Sequence, residues 1–402
     1  MAAAPRRTDA APAGIATLLA RWDPDVIDLP DGRALIRLEV AGGRPWDARV
    51  RNLELDLVAA DEDQEPDAVI AADAATWRRI AEDPRGALGA FRQRRLRMRG
   101  SLHVGVGFLA ATGGSRDPGR LAFDRILTRR GRLSFVSAGT GPETLLCLHG
   151  LGGTKASFLP TLAALAGPEL RVVALDLPGF GESDKPIGAP YDAPWFARAT
   201  FEAMDALGLR SAHLAGNSMG GRVAIEAGLL DRARVPSLTL LCPALAWLRE
   251  RRWAPVVRLL RPELGLLQVA PRRVVERMTR QLVPTASEGW AAAGVDEFLR
   301  AYLTPRGRTA FYAAARNIYL DEPHGEEGFW TRLEELAPDA LFIWGKRDAL
   351  VPIAFMRHVQ RALPLAQHVE LDCGQVPQLE RPRETHGAIL QFLRARSGTN
   401  AG

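Results

Sequence analysis

The sequence predicts an α/β fold, a mostly parallel sheet with helices on both faces and a helical cap, preceded by a smaller α+β domain. Three observations carry this prediction. Short apolar runs alternate with helical segments beyond residue 120, a serine framed by glycines follows one of these runs, and 402 residues are enough for two buried cores. The apolar runs lie at residues 144–148, 171–175, 213–215, 238–242, 341–344 and 369–371. Such runs are typical of buried parallel strands.

The N-terminal part predicts a small sheet with two helices. Half-buried strands alternate apolar and polar side chains, and helices end at breakers such as Asp-Pro. The predicted strands lie at residues 34–40, 47–57 and 96–100, and the predicted helices at residues 73–82, before Asp83-Pro84, and through 108–111. Four segments follow: a flexible Ala/Pro/Arg-rich arm (1–24), an α+β domain (25–112), a linker rich in breakers (113–121) and the α/β domain (122–398).

The charge of the chain does not indicate nucleic-acid binding. The formal net charge is +5 and the pI is about 9.5, but nearly all of the positive charge is arginine, and the lysines are Lys155, Lys185 and Lys346. This skew, with abundant Ala, Gly and Pro, indicates the coding bias of a GC-rich genome. No recognition motif accompanies the charge, so we expect no nucleic-acid partner.

The cysteines and the hydropathy indicate a cytoplasmic protein. Cys147, Cys242 and Cys373 lie far apart and form neither a disulfide framework nor a metal-ligand pair, which suits a reducing compartment. The apolar run near residues 15–20 has no cleavage site after it, so we expect no signal peptide. No apolar stretch approaches the roughly 20 residues of a spanning helix.

Residues from about 34 to 112 carry a pattern of strand, helix, Asp-Pro, strand with glycine, and helix. Its clearest segments are Ala-Glu-Asp-Pro at 81–84 and Arg-Leu-Arg-Met-Arg-Gly-Ser-Leu at 95–102. The pattern resembles the sterol-carrier-protein family of small lipid-binding domains. The resemblance implies an α+β domain that binds a lipidic ligand; the alternative is an accessory domain with a structural role alone.

Gly-Asn-Ser-Met-Gly at 216–220 is the most informative motif of the chain. Glycines two residues either side of a serine fit a tight strand-to-helix turn that presents a nucleophilic hydroxyl. The segment His-Gly-Leu-Gly-Gly at 149–153 follows a predicted strand, and Asp-Leu-Pro-Gly-Phe-Gly-Glu-Ser at 176–183 follows the next. Together with the aspartate at 348, these motifs make residues 122–395 similar to the α/β-hydrolase fold family, in the order serine, acid, base.

That resemblance implies a role for each matching residue. Ser218 is the candidate nucleophile and Asp348 the candidate acid, while the backbone N–H groups of Leu151 and Met219 are the candidate oxyanion donors. The supporting loop residues are His149, Gly150, Gly152, Gly153, Gly216 and Gly220. The glycines allow close approach of the backbone, and the helix that begins near Met219 favours an anion at its N-terminus.

The base position departs from the family. The flanks at 374–382 are those expected around the catalytic histidine, but Gln375 stands in its place. An amide has no basic nitrogen and cannot transfer a proton near neutral pH. We expect Gln375 to orient Ser218 or to bond Asp348, and no more. By analogy with triad knockouts, turnover is expected to fall by up to about a millionfold.

No other histidine is expected to act as the base. His386 lies eleven residues further along, in the predicted final helix, too far along to reach Ser218. The remaining histidines have no partner motif and are expected to be ordinary core or surface residues: His103, His213, His324, His358 and His368. There is no His-x-x-x-His pair, cysteine cluster or phosphate loop, so neither a metal nor another cofactor is expected.

Residues from about 243 to 336 lack the strand rhythm and predict the helical cap over the site. Apolar cap residues are Trp247, Trp253, Val256, Leu259, Leu260, Met278 and Phe298. The cap arginines predict either a solvated face or contact with a membrane surface or anionic lipid: Arg249, Arg251, Arg252, Arg258, Arg261, Arg272 and Arg273.

Three functions remain open at this point. The first is an acyl-ester hydrolase of esterase or lipase type, acting on an apolar or lipidic ester and impaired by Gln375. The second is a non-catalytic protein that binds a lipid or small molecule on a hydrolase scaffold. The third is a carbon–carbon bond hydrolase, because the elbow at 216–221 also resembles that of ring-cleavage-product hydrolases. The sequence predicts no oligomeric state.

Overall fold

The chain divides into two compact units, Met1–Asp124 with Ala286–Arg300 and Arg125–Thr285 with Ala301–Gly402. A computed structural model describes residues 13–29, 31–82, 90, 93, 95–115, 117–245, 258–259, 261–267, 273–275, 277, 289–319 and 325–399. Several predictions fall outside these residues: Asp83-Pro84, His324, the apolar residues Trp247, Trp253, Val256, Leu260 and Met278, and the arginines Arg249, Arg251, Arg252 and Arg272.

The first unit is built on a five-stranded sheet in the order β3-β2-β1-β4-β5. Its strands are β1 (Arg33–Val40), β2 (Trp46–Arg51), β3 (Glu54–Ala59), β4 (Ala68–Ala72) and β5 (Leu96–Gly100), and its helices include α1 (Ala13–Leu19), α2 (Ala74–Glu82) and α3 (Leu102–Ala111). Strands β1 and β4 are parallel and the other pairs are antiparallel. The strand predicted at 47–57 is a hairpin, because Asn52 and Leu53 both have positive φ, 50° and 67°, as a tight hairpin turn requires.

The predicted arm is wrong from Ala13 onward. Helix α1 has Ile15 and Leu18 buried at 0% and 1% exposure. Gly14 permits close packing on α2, since a Cβ at this glycine would lie 3.0 Å from the backbone of Trp77. The apolar run near 15–20 is therefore part of the core of this unit, a contact between segments far apart in the sequence.

The helix Gly289–Tyr302 differs from the predicted division, because its residues up to Arg300 belong to the first unit although they lie in the predicted cap. The Asp296 carboxylate pairs with the Arg99 guanidinium and accepts a hydrogen bond from the Gly100 N–H. The Glu297 carboxylate accepts a hydrogen bond from the Leu102 N–H at 3.0 Å. Asp296 therefore binds the end of β5, and Glu297 binds the start of α3. The four-segment division otherwise stays a prediction.

The second unit is built on an eight-stranded sheet in the order β13-β12-β11-β10-β8-β9-β7-β6. Its strands are β6 (Ala122–Thr128), β7 (Gly131–Ala138), β8 (Glu143–Leu148), β9 (Leu170–Leu175), β10 (His213–Asn217), β11 (Ser237–Leu241), β12 (Asp339–Gly345) and β13 (Gln367–Leu371). Strands β8 to β13 are parallel to their neighbours, while β7 pairs with β9 antiparallel. The central strands β10 and β11 are buried along their whole length, which explains their continuous apolar character.

Helices complete this unit. They are α4 (Leu159–Leu165), α5 (Ala193–Ala206), α6 (Met219–Leu230), the end of α7 (Gly289–Tyr302), α8 (Pro305–Tyr319), α9 (Gly325–Glu334), α10 (Met356–Ala362), α11 (Pro377–Glu380) and α12 (Pro382–Thr399). Within the described part of the cap, Arg258, Leu259, Arg261 and Arg273 are exposed, and Phe298 is half-buried. In the described residues of the whole chain, no helix is long and apolar enough to cross a membrane.

Candidate active site

The predicted site residues follow parallel strands at their carboxyl ends. His149 follows β8, Ser218 follows β10, Asp348 follows β12 and Gln375 follows β13. In open α/β sheets this edge is where ligands bind, because loops from several strands converge there. The order of strands in the sheet therefore makes one site from residues spread over more than half of the chain.

Ser218 occupies a strained turn between β10 and α6, with φ 51° and ψ −113°. A non-glycine residue with positive φ is costly and persists where the surroundings hold it. Its backbone N–H donates to Leu241 O at 2.9 Å, and its carbonyl accepts from Arg222 N and Ala244 N. The side-chain amide of Asn217 adds hydrogen bonds to Leu241 O and to Gln375 O, at 3.0 Å and 2.8 Å. The turn is thus tied to two neighbouring loops.

The glycines beside Ser218 have no room for a side chain. A Cβ on Gly216 would lie 2.3 Å from Gly220 O, and one on Gly220 would lie 2.1 Å from Leu148 O. A Cβ on Gly150 would lie 3.3 Å from the Cβ of Ser218. The loop that contains the predicted oxyanion donor Leu151 therefore passes close to the serine.

The other predicted donor, the N–H of Met219, belongs to the first residue of α6. The first N–H groups of a helix have no intrahelical acceptor, so this one is free of the helix ladder. In the loop of the first predicted donor, Leu151, Gly152 has a φ of 72°, and Gly153 N donates to Gly150 O at 2.9 Å. These contacts fold the loop into a compact turn beside the serine.

His149 supports this loop and is not available as a base. Its Nε2 accepts a hydrogen bond from Leu177 N at 3.0 Å, and its Nδ1 donates to Gly150 O at 2.8 Å. The ring is fully buried, and this burial lowers its pKa although nearby Asp176 opposes the shift. Both ring nitrogens are used in holding the loop.

Asp176 holds the segment that follows the 149–153 loop. Its carboxylate bonds the Lys155 Nζ and the Lys155 N–H, both at 2.6 Å, and the Glu182 N–H at 2.9 Å. Burial acts to raise its pKa, but the charges of Lys155 and His149 and the hydrogen bonds outweigh it and hold the pKa at about 2. These contacts tie the start of the 176–183 turn to the segment that contains Lys155.

The hydroxyl of Ser218 is hydrogen-bonded to a residue that no sequence motif indicated. Its Oγ lies 2.9 Å from the Oη of Tyr319, at the end of α8. Tyr319 is 8% exposed, and burial raises its pKa to about 12, with the nearby Asp348 charge acting in the same direction. The phenol therefore keeps its proton at neutral pH. No motif marks Tyr319, because its position depends on how a cap helix packs.

Asp348 is a buried carboxyl, and no described histidine hydrogen-bonds it. Its Oδ1 accepts from Leu350 N at 2.8 Å and from Val351 N at 3.0 Å. Its Oδ2 is buried and has no hydrogen-bond partner among the residues that the structure describes. Burial raises its pKa from 3.8 to about 6, against the backbone hydrogen bonds, which lower it.

Gln375 bonds neither Ser218 nor Asp348 in the described residues, so the partners expected for its side chain are wrong. Its Nε2 donates instead to Cys242 O at 3.1 Å, and its Oε1 is buried with no hydrogen-bond partner among the described residues. Cys242 is placed for this by an unusual φ of 45° after β11. The loop around Gln375 is held by Glu380, which accepts from Gly374 N and Val376 N.

The remaining described histidines have other partners. His386 lies in α12 as predicted, bonds the Thr161 hydroxyl at 3.0 Å, and has its pKa lowered to about 4 by burial. The others pair as follows: His103 with Asp28 O, His213 with Ser237 Oγ, His368 with Trp344 Nε1, and His358 stacked on Trp330. Among the described residues, no group of three or more His, Cys, Asp and Glu could hold a metal ion.

Two sequence families match the chain. The profile of the alpha/beta hydrolase fold matches residues 143–382, and that of the SCP-2 sterol transfer family matches residues 20–110. A 2-hydroxy-6-oxononadienedioate/2-hydroxy-6-oxononatrienedioate hydrolase of Paraburkholderia phymatum is 30% identical over 271 residues, 65% of this chain and 91% of that protein. The dihydrolipoyllysine-residue acetyltransferase component of the acetoin cleaving system of Pseudomonas putida is 31% identical over 268 residues, 65% of this chain and 66% of that protein.

Solved structures show the same likeness in three dimensions. A thermophilic esterase from Thermogutta terrifontis has a TM-score of 0.57 at 25% identity, over 68% of this chain and 98% of its own. A membrane phospholipase A has a TM-score of 0.56 at 26% identity, over 68% of this chain and 86% of its own.

Proposed function

Because the chain belongs to the α/β-hydrolase fold family and carries an SCP-2 sterol transfer domain, we propose that it is a serine hydrolase of the carboxylic ester class, with an apolar or lipidic ester as substrate. The strained backbone of Ser218, with φ 51° and ψ −113°, is the observation that carries this proposal. Strain of this kind clusters at functional sites, and here it supports a nucleophile at the turn after β10.

The proposed roles follow from the contacts around that turn. Ser218 is the nucleophile, and the N–H groups of Leu151 and Met219 stabilise the oxyanion. Asp348 occupies the acid position, but it has no histidine to orient. Gln375 occupies the base position and cannot take the serine proton, so turnover by the native chain is slow.

The first test compares the native chain with its Gln375→His variant on p-nitrophenyl esters of short and long acyl chains. The restored imidazole supplies a general base and acid, so we expect turnover to rise by about 10³-fold or more. Gln367→His is the matched control, because it makes the same exchange at an exposed position on β13. Ser218→Ala in the Gln375→His background measures hydrolysis that does not use the serine.

Three outcomes decide this test. A rise that Ser218→Ala abolishes supports the serine hydrolase, and the preferred chain length then narrows the substrate. Equal, serine-dependent rates with and without histidine mean that another group supplies the base, which contradicts the role given to Gln375. If neither the native chain nor Gln375→His hydrolyses any of the esters, the proposed function is contradicted.

A second candidate is a binding protein that uses the hydrolase pocket without turnover. The hydrogen bond between Ser218 and Tyr319, at 2.9 Å, and the missing base both favour it. In this case a lipidic ligand binds with unchanged affinity to the Ser218→Ala variant, measured by calorimetry. Conversion of the ligand by the native chain that Ser218→Ala abolishes supports the enzyme instead.

A third candidate is a carbon–carbon bond hydrolase. It is favoured by the 30% identity to a 2-hydroxy-6-oxononadienedioate hydrolase, which extends over 91% of that relative. A vinylogous diketo acid is the substrate that tests it. If the Gln375→His variant cleaves simple esters and leaves this acid intact, the third candidate is excluded.

A further inference from the structure

The missing histidine removes two proton transfers from the site. A histidine at position 375 would take the proton of Ser218 and later give it to the leaving group. The Gln375 amide does neither, because its Nε2 is a donor already bonded to Cys242 O and amides do not titrate near neutral pH. The leaving group must then depart without a proton from this residue.

No other described residue beside Ser218 replaces the lost acid. Tyr319 lies 2.9 Å away, but giving up its proton would leave a buried phenolate, and burial already raises its pKa to about 12. Asp348, with a pKa of about 6, is mostly ionised at neutral pH, and its Oδ1 is bonded to Leu350 N and Val351 N. His149 has both nitrogens engaged in the loop.

Leaving groups differ greatly in their need for a proton. A thiol has a pKa of about 8.5 and a phenol about 10, so their anions depart readily. An aliphatic alcohol is about as weak an acid as water, whose pKa is about 15.7. If the leaving atom carries a full negative charge in the transition state, each pKa unit costs up to about tenfold in rate.

We infer, building on the proposed ester-hydrolase function, that the acyl donors of this site are thioesters and aryl or enol esters, and that their acyl group accumulates on Ser218. Ser218 Oγ bonds to the acyl carbon, and the bond from that carbon to the leaving sulfur or oxygen breaks with its electron pair on the leaving atom. The serine proton passes to a water molecule.

The second half of the reaction explains the accumulation. Water adds to the acyl carbon, the bond to Ser218 Oγ breaks, and a proton returns to that oxygen. The serine oxygen is itself the oxygen of an aliphatic alcohol, so its departure needs the proton that Gln375 cannot supply. The acyl-serine therefore forms faster than water removes it.

The test uses three donors that share one acyl chain: an S-ethyl thiooctanoate, phenyl octanoate and ethyl octanoate. The full-length chain is incubated with each, and intact mass spectrometry measures the octanoyl adduct. We expect an adduct approaching one acyl group per chain with the thioester and the phenyl ester, and none with the ethyl ester. Ser218→Ala must lack the adduct.

Restoring histidine gives a second, independent readout. Gln375→His should clear the adduct and lower the ratio of phenyl-ester to ethyl-ester hydrolysis by about 10²- to 10⁴-fold, because a general acid helps only the poor leaving group. Gln367→His should leave both the adduct and the ratio unchanged.

The failures are distinguishable. If the native chain forms no adduct with any donor and Gln375→His hydrolyses none of the three, the proposed function fails and the inference fails with it. If Gln375→His hydrolyses the esters but the native chain forms no adduct, the inference alone is overturned. It is also overturned if Tyr319→Phe abolishes ethyl-ester hydrolysis by the native chain while Tyr312→Phe does not, because Tyr319 is then the acid.

Discussion

Ser218 and Tyr319 form a hydrogen-bonded pair of hydroxyl groups at the turn after β10. A phenol with a pKa of about 12 can hold the serine hydroxyl in place, but it cannot accept its proton. Tyr319 thus gives the Ser218 hydroxyl a hydrogen-bond partner that does not activate it.

The strength of this pair is measurable by a double-mutant cycle. Ser218→Ala, Tyr319→Phe and the double variant are unfolded in urea, and we expect a coupling energy of about 0.5–1.5 kcal/mol, the usual net value of a buried hydrogen bond. Tyr312→Phe is the matched control, because its hydroxyl bonds Tyr302 and not Ser218. A coupling near zero for Ser218 and Tyr319 would contradict the hydrogen bond.

Asp348 makes the stability of the protein depend on pH. Its pKa is raised from 3.8 to about 6, so the native state holds the proton more tightly than the unfolded chain. Its favourable contribution is present below pH 3.8 and is lost as pH rises through 6, a change of about 3 kcal/mol.

Asp348→Asn tests this, because the amide oxygen can still accept from Leu350 N and Val351 N while no charge forms. We expect the variant to gain about 2–3 kcal/mol relative to the native chain between pH 4 and pH 7, measured by urea unfolding. A difference between the two proteins that stays constant over this range would show that Asp348 is not the group concerned.

At the scale of elements, the strand-to-helix turn is a close fit of backbone on backbone. Gly220 is the sharpest case, because a Cβ there would meet Leu148 O at 2.1 Å, a distance that no rotamer change can relieve. The turn and the end of β8 must therefore move apart to admit any side chain.

Gly220→Ala should lower the free energy of unfolding by about 3 kcal/mol or more, as overpacking against backbone does at its upper end. Gly387→Ala is the control, since a Cβ in that helix position meets nothing within 4 Å, and it should raise stability by about 0.5–1 kcal/mol. Thermal unfolding of both variants measures these changes. An unchanged stability in Gly220→Ala would contradict the close approach of Gly220 to Leu148.

At the scale of the whole molecule, residues far apart in the sequence can belong to one compact unit. Asp296 and Glu297 lie far along the chain from Arg99 and Leu102, yet they bond them within the first unit. A fragment that stops at residue 124 would lose these acceptors. The boundary of a stable N-terminal fragment is therefore not a single position in the sequence.

Glu297→Ala leaves the buried N–H of Leu102 without an acceptor, which costs about 1–3 kcal/mol. In the full-length chain, we expect hydrogen exchange at the start of α3 to speed up by about 5- to 150-fold. Glu297→Gln keeps an acceptor oxygen and should exchange nearly as slowly as the native chain. Equal protection in Glu297→Ala would contradict this contact.

The sequence by itself determined the two domain types, the mostly parallel sheet, the serine turn and the glutamine at the base position. These depend on local patterns, because apolar runs and glycine-framed turns restrict the backbone wherever they occur. It also placed Asp348 and Gln375 after buried strands, as the structure has them.

Only the tertiary structure determined which side chains contact each other. The bond from Tyr319 to Ser218, the Gln375 amide on Cys242 O, and the burial that raises the pKa of Asp348 all join segments distant in the chain. The same is true of the buried helix α1 and of the acid that binds α3. Such contacts depend on packing between elements, and the periodicity of a single segment carries no information about its partner.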